Sequence, residues 1–75
     1  MQHQDESLTE VVEAILRYLH SHPDAADTVE GIARWWLPAE WCVDLRTVLA
    51  ALSRLEAQGL VHRRTNADRH VLFSR

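Results

Sequence analysis

The chain has a single cysteine, Cys42, and no lysine. One cysteine cannot form an internal disulfide, and it leaves no CxxC pair of the kind that holds structural zinc. All eight basic residues are arginines, against eleven acidic residues and a net charge of −3. We attribute the absence of lysine to genome composition, and we interpret Cys42 as a small residue that fills a buried or half-buried position.

Long apolar runs are also absent. The longest uncharged stretches, such as residues 35–39, are much shorter than the roughly 20 residues of a transmembrane helix. The first ten residues, MQHQDESLTE, lack the basic and then apolar organisation of an export signal. With the lone cysteine, these absences predict a bacterial cytoplasmic protein that contacts no membrane. At 75 residues the chain is expected to form one domain, 1–75, with residues 1–6 frayed.

The sequence contains no recognisable catalytic constellation. It has no glycine-rich phosphate loop and no nucleophile elbow, and its carboxylates cluster at helix starts, where capping explains them. A chain this short has little room for a substrate pocket. His20 and His22 have no organised acidic or cysteine ligands around them. We therefore predict no enzyme activity, no small-molecule substrate, no cofactor and no metal site.

Two helices are predicted in the first half of the chain. Ser7 and Glu10 fit a capping box that opens the first helix, and the polar segment before Pro23 ends it. Its apolar face comprises Leu8, Val11, Val12, Ile15, Leu16 and Leu19. A second capping box, Asp27 with Glu30, starts a short helix that Pro38 closes. Gly31 lies in its first turn and indicates a close backbone approach, to the first or third helix.

The third helix is the best-marked element. Asp44 can cap its first turn, and Gly59 lies where a helix end needs a left-handed residue. The predicted buried stripe consists of Leu45, Val48, Leu49, Leu52 and Leu55. Residues 60–64 and 69–73 then predict a β-hairpin. With a two-residue turn at Asn66-Ala67, Arg64 would lie opposite Arg69, a repulsion that a polyanion would relieve.

The segment DLRTVLAALSRLEAQGLVHRR, residues 44–64, resembles the recognition helix and first wing strand of winged helix-turn-helix domains, where the pattern tV..aL..Le..Glv.r is typical. The resemblance covers about residues 8–73. It implies an α+β fold with three helices followed by a two-stranded β-hairpin wing. Residues 38–43 make the turn between helices longer than in a minimal helix-turn-helix. The short strand usual between the first two helices has one available place, Ala25-Ala26.

The resemblance also implies a DNA-binding surface. The third helix would enter the major groove, where arginine pairs with guanine, and the wing would lie on phosphates. The candidate contacts are Arg46, Thr47, Ala50, Ala51 and Arg54 on the helix, and His62, Arg63, Arg64, Arg69 and His70 on the wing. Residues 1–43 carry a balance of −6 and residues 44–75 one of +3, so the basic half stands apart within an acidic chain. This favours a small transcriptional regulator that binds double-stranded DNA, often as a dimer; a solvated helix face and an edge hairpin protected by charge are the alternatives.

Three tryptophans support a second hypothesis. Adjacent helical positions point about 100° apart, so Trp35 and Trp36 cannot both face one small core, and spacing from Ile32 favours Trp36 as the buried one. An exposed tryptophan suggests a protein interface. The chain would then be a winged-helix adaptor that binds a partner, or itself, through Trp35 and Trp41. In the alternative, Trp41 folds back over Trp35 and completes a small core.

The two hypotheses predict different surfaces. A continuous positive surface over the arginines of the third helix and wing would favour DNA. Arginines neutralised by Asp44, Glu56 and Asp68, together with a bare Trp35 or Trp41, would favour a protein partner.

Overall fold

The computed structural model describes residues 4–75, and the side chains of residues 8–75. Its elements are α1 (Gln4–Ser21), β1 (Ala26–Asp27), α2 (Val29–Gly31) continued by a π-helical turn (Ile32–Trp36), α3 (Leu45–Ala57), β2 (His62–Thr65) and β3 (Val71–Ser74). The predicted α+β class with three helices is confirmed. The prediction of two strands is wrong, because β1 adds a third. No helix within residues 4–75 has both the length and the apolarity that crossing a membrane requires.

The sheet is antiparallel, with strand order β1-β3-β2. In β1, Ala26 pairs with Ser74 and Asp27 with Phe73, one residue beyond the place that the sequence offered. The central strand β3 is thereby covered on both edges, and Phe73 enters the core at 2% exposure. The hairpin is thus fixed to the segment between α1 and α2.

Helix α1 begins earlier than predicted. It starts at Gln4, so Ser7 and Glu10 lie inside the helix and the capping-box prediction is wrong. Nothing in the sequence of residues 4–6 breaks a helix, which lets it extend one turn upstream. Of the segment expected to be frayed, residues 1–3 lie outside the described residues. The predicted apolar face is confirmed, with Val11, Ile15 and Leu19 buried and the other members packed against the core.

The N-cap of α2 also lies one residue later than predicted. Thr28 is the N-cap, and its Oγ1 accepts a hydrogen bond from the Gly31 backbone N–H at 3.1 Å. Asp27 ends β1 instead, and its Oδ1 accepts from the Thr28 N–H at 2.8 Å. A Cβ on Gly31 would overlap the Asp27 carboxylate. Gly31 therefore does mark a close approach, but to this carboxylate rather than to a helix.

Helix α3 packs mainly on α1, and its buried stripe is narrower than predicted. Val48, Ala51, Leu52 and Leu55 are each fully buried, whereas Leu45 and Leu49 are 41% and 42% exposed. The four buried positions lie within about 100° of the helix circumference, which leaves Leu45 and Leu49 at one edge. The prediction that Leu45 and Leu49 are buried was therefore wrong. The prediction that Ala51 lies on the exposed face was also wrong.

Both predicted ends of α3 are confirmed. The Asp44 carboxylate accepts a hydrogen bond from the Thr47 N–H at 2.9 Å. Gly59 has a φ of 76°. The Gly59 N–H donates to the Glu56 carbonyl at 3.0 Å and the Leu60 N–H to the Leu55 carbonyl at 2.9 Å, which is a Schellman motif. This end turns the chain back so that Val61 is buried before β2 begins.

Candidate interaction surfaces

The three tryptophans have three different environments. Trp36 is 6% exposed and stacks on Tyr18, with ring centroids 4.7 Å apart; Tyr18 in turn stacks on His22 at 4.2 Å. Trp35 is 69% exposed, the largest exposure among the large apolar side chains described. The prediction that Trp36 is the buried member of the pair is confirmed. Trp41 is half-buried and packs against the edge of the core.

Trp35 and Trp41 line one open groove. Its volume is about 580 Å³, and it runs between the π-helical turn, the loop that follows it and the first turn of α3. The residues that line it are Glu30, Ala33, Arg34, Trp35, Pro38, Ala39, Trp41 and Leu45. We call this set the Trp35 groove. Trp41 does help to complete the core, as one alternative held, but Trp35 stays uncovered.

The apolar surface continues from the groove onto α3. Leu49 lies one helical turn beyond Leu45, and both are exposed on the same side of the helix. Large apolar side chains that share one exposed surface are unusual on a monomer and mark sites of interaction. Both leucines fit the helical spacing of a buried stripe, so this extension was not predicted from the sequence.

Arg63, a predicted DNA contact, is exposed but is engaged by an ion pair with Glu56 of the same chain. Its Nε donates to the two carboxylate oxygens of Glu56 at 3.2 and 3.0 Å, and its Nη2 donates to Oε1 at 2.9 Å. The guanidinium also lies over the Phe73 ring, 5.3 Å from its centroid. The hydrogen bonds to Glu56 raise the pKa of the Arg63 guanidinium. Glu56 thus neutralises one of the three arginines of the hairpin.

The hairpin turn is longer than predicted. The last paired residues are Thr65 and Val71, so residues 66–70 form the turn. The Asn66 Oδ1 accepts hydrogen bonds from the Asp68 and His70 N–H groups, each at 2.9 Å, and Arg69 has a φ of 66°. Arg64 lies opposite Leu72, so its predicted juxtaposition with Arg69 is wrong and the repulsion argument fails with it.

The DNA-facing residues predicted on α3 are partly exposed as expected. Arg46, Ala50 and Arg54 are exposed, and Thr47 is half-buried. Asp44 lies beside them; the Thr47 backbone hydrogen bond and, more weakly, the charge of Arg46 lower the pKa of its carboxyl group. Within the described residues, the basic surface is therefore interrupted by Asp44 on α3 and by the Glu56–Arg63 pair at the hairpin.

The side chains that could bind a metal or react do not form a site among the described residues. No three His, Cys, Asp or Glu side chains among residues 8–75 are grouped in a way that could hold a metal ion. The His22 Nδ1 lies 3.2 Å from the Tyr18 carbonyl, so the helix end and the aromatic stack account for this side chain. Cys42 is exposed, and the prediction that it fills a buried position is wrong.

Comparisons with protein-family models, with curated proteins and with solved structures found no match for this chain.

Proposed function

We propose that this chain is an interaction module of winged-helix architecture that binds another protein chain through the Trp35 groove. The order of helices and strands supports the architecture, because β1 lies between the first two helices and joins the hairpin sheet, as in winged helices. The same fold serves DNA and protein partners, so the choice depends on the surface. A cytoplasmic location fits the exposed single thiol of Cys42.

One observation carries the proposal: Trp35 is 69% exposed in a groove that also contains Trp41, Pro38 and Leu45. A tryptophan buries about 150–250 Å² when it is covered, so covering Trp35 would remove roughly 100–170 Å² of mostly apolar surface from water. At about 25 cal/mol per Å², this is a gross gain of about 2.5–4 kcal/mol. A side chain of this kind in a groove is typical of the centre of a protein interface.

The test is site-specific photo-crosslinking in cells that express the chain naturally. A photoreactive residue replaces Ala39, which lies in the groove, and in a matched control it replaces Glu13, which is exposed on α1 away from the groove. We expect a discrete protein adduct, identified by mass spectrometry, from position 39 only, and its loss on Trp35→Ala. Equal adducts from both positions, or an adduct that Trp35→Ala leaves unchanged, would refute the proposal.

DNA binding is the second candidate function, favoured by Arg46, Arg54, Arg64 and Arg69. All four are exposed, and among residues 8–75 no hydrogen bond or ion pair within this structure engages their guanidinium groups. These four charges lie on α3 and on the hairpin, so the arginines could contact phosphates on either side of a DNA groove.

Salt-dependent binding to mixed-sequence duplex DNA tests this second function. Each phosphate contact adds about 0.9 to the slope of log K against log salt, so Arg54→Ala/Arg64→Ala should reduce the slope by about 1.8. The control Arg17→Ala/Arg75→Ala removes the same charge at two exposed positions outside both candidate surfaces and should not change the slope. If binding is undetectable at about 50 mM salt, where phosphate contacts are strongest, the DNA function is refuted.

A further inference from the structure

We infer that the chain seated on the Trp35 groove is a second copy of this protein, related to the first by a two-fold axis. The inference rests on the proposed function, because it names the partner of the same groove. Three features of the groove support it: its charges, its shape and the closure of the resulting assembly.

The charges of the groove complement themselves. Glu30 and Arg34 both line it and both are exposed. Within the described residues no salt bridge joins them, so each keeps an exposed charge on the same surface. A two-fold axis through the groove brings each patch against itself, so that Glu30 of one copy can meet Arg34 of the other, twice. A different protein would need its own matching pair, whereas a second copy carries one by necessity.

The shape of the surface is also self-complementary, because it offers both a protruding side chain and a recess that can receive one. Trp35 projects outward at 69% exposure, and the groove beside it has walls formed by Pro38, Trp41 and Leu45. Two copies can therefore each insert an indole into the other. Arg34 would then lie near the indole of the second copy, a favourable arrangement for a guanidinium.

A two-fold contact closes after two copies. A head-to-tail contact between the same protrusion and groove would leave one of each open and would continue into a filament. The contact buries the surface of one groove, which is a small part of the 5255 Å² that the chain exposes. An interface of this size belongs with the small, transient ones. We expect a dissociation constant in about the micromolar range.

Sedimentation equilibrium on the purified full chain, from about 5 to 500 µM, tests this inference. We expect a monomer–dimer equilibrium that Trp35→Ala weakens at least about 30-fold. Glu30→Arg and Arg34→Glu should each weaken self-association, because each makes the charges of the two patches alike. An equimolar mixture of these two variants should form the mixed dimer, since one chain then carries two positive rim charges and the other two negative ones. Glu13→Arg, the same charge change on α1, should leave the equilibrium unchanged.

The outcomes separate this inference from the proposed function. A chain that stays monomeric up to the highest concentration, or variants that fail to associate when mixed, would overturn the two-fold assembly. If position 39 then still gives an adduct of another mass in cells, the groove binds a different protein and only the present inference falls. If the adduct is absent as well, both fall.

Discussion

Trp35 and Trp36 are adjacent, yet the structure predicts that replacement by alanine lowers stability greatly at Trp36 and very little at Trp35. Trp36 is 6% exposed and stacked on Tyr18, so Trp36→Ala leaves a cavity in a small core. Removing a large aromatic side chain from a core costs about 3–5 kcal/mol. Trp35 is 69% exposed, and surface substitutions of this kind change stability by about 0.5 kcal/mol or less.

The difference is large relative to the stability of the chain. At about 0.05–0.15 kcal/mol per residue, a chain of 75 residues has a free energy of unfolding of roughly 4–11 kcal/mol. Trp36→Ala therefore removes a large part of it, whereas Trp35→Ala leaves a folded protein that is altered only in binding. Urea unfolding followed by circular dichroism measures both values on dilute, monomeric protein. A cost above about 1.5 kcal/mol for Trp35→Ala, or below it for Trp36→Ala, would refute the assignment of the two side chains.

Three further predictions concern the ends of α3 and the hairpin. Gly59→Ala should cost about 1–2 kcal/mol in urea unfolding, because the φ of 76° strains any residue with a Cβ; an unchanged midpoint would contradict this. The folded-state pKa of Asp44 is lowered from 3.8, so its charged form stabilises the fold above that pH, and the stabilisation is lost as pH falls through the folded value. Melting curves should show a gap between wild type and Asp44→Ala at pH 7 that narrows below 3.8, and a constant gap would exclude a charged cap. Arg63→Ala should lower the melting temperature more than Arg64→Ala, since only Arg63 is bound to Glu56 in the structure; equal effects would contradict the pairing.

Local chemistry explains which parts of the fold could be predicted. The cap at Asp44 and the left-handed Gly59 depend on backbone groups within a few residues, and both were found where the sequence indicated. The burial of Trp36 followed from its spacing to Ile32. The predicted N-cap of α2 was wrong by one residue because Asp27 is also the end of a strand. That strand exists only through its pairing with β3.

The misassigned parts depend on contacts between elements. Leu45 and Leu49 satisfy helical spacing, and only the orientation of α3 against α1 shows that Ala51 takes the buried place instead. Glu56 and Arg63 are seven residues apart on a helix and a strand, so no helical or strand period relates them. The Glu56–Arg63 pair removes one arginine from the candidate DNA surface. The exposure of Leu45 and Leu49 extends the apolar surface beside Trp35. Both findings favour a protein partner over DNA.

Hydroxyl-radical footprinting of the two adjacent tryptophans measures whether another chain covers the Trp35 groove, with Trp36 as the internal control. In dilute purified protein, Trp35 should be labelled and Trp36 protected. In cells that express the chain naturally, Trp35 should become protected as well, because a protein chain covers the Trp35 groove. Equal labelling of Trp35 in cells and in dilute solution would contradict the claim that this groove is an interface.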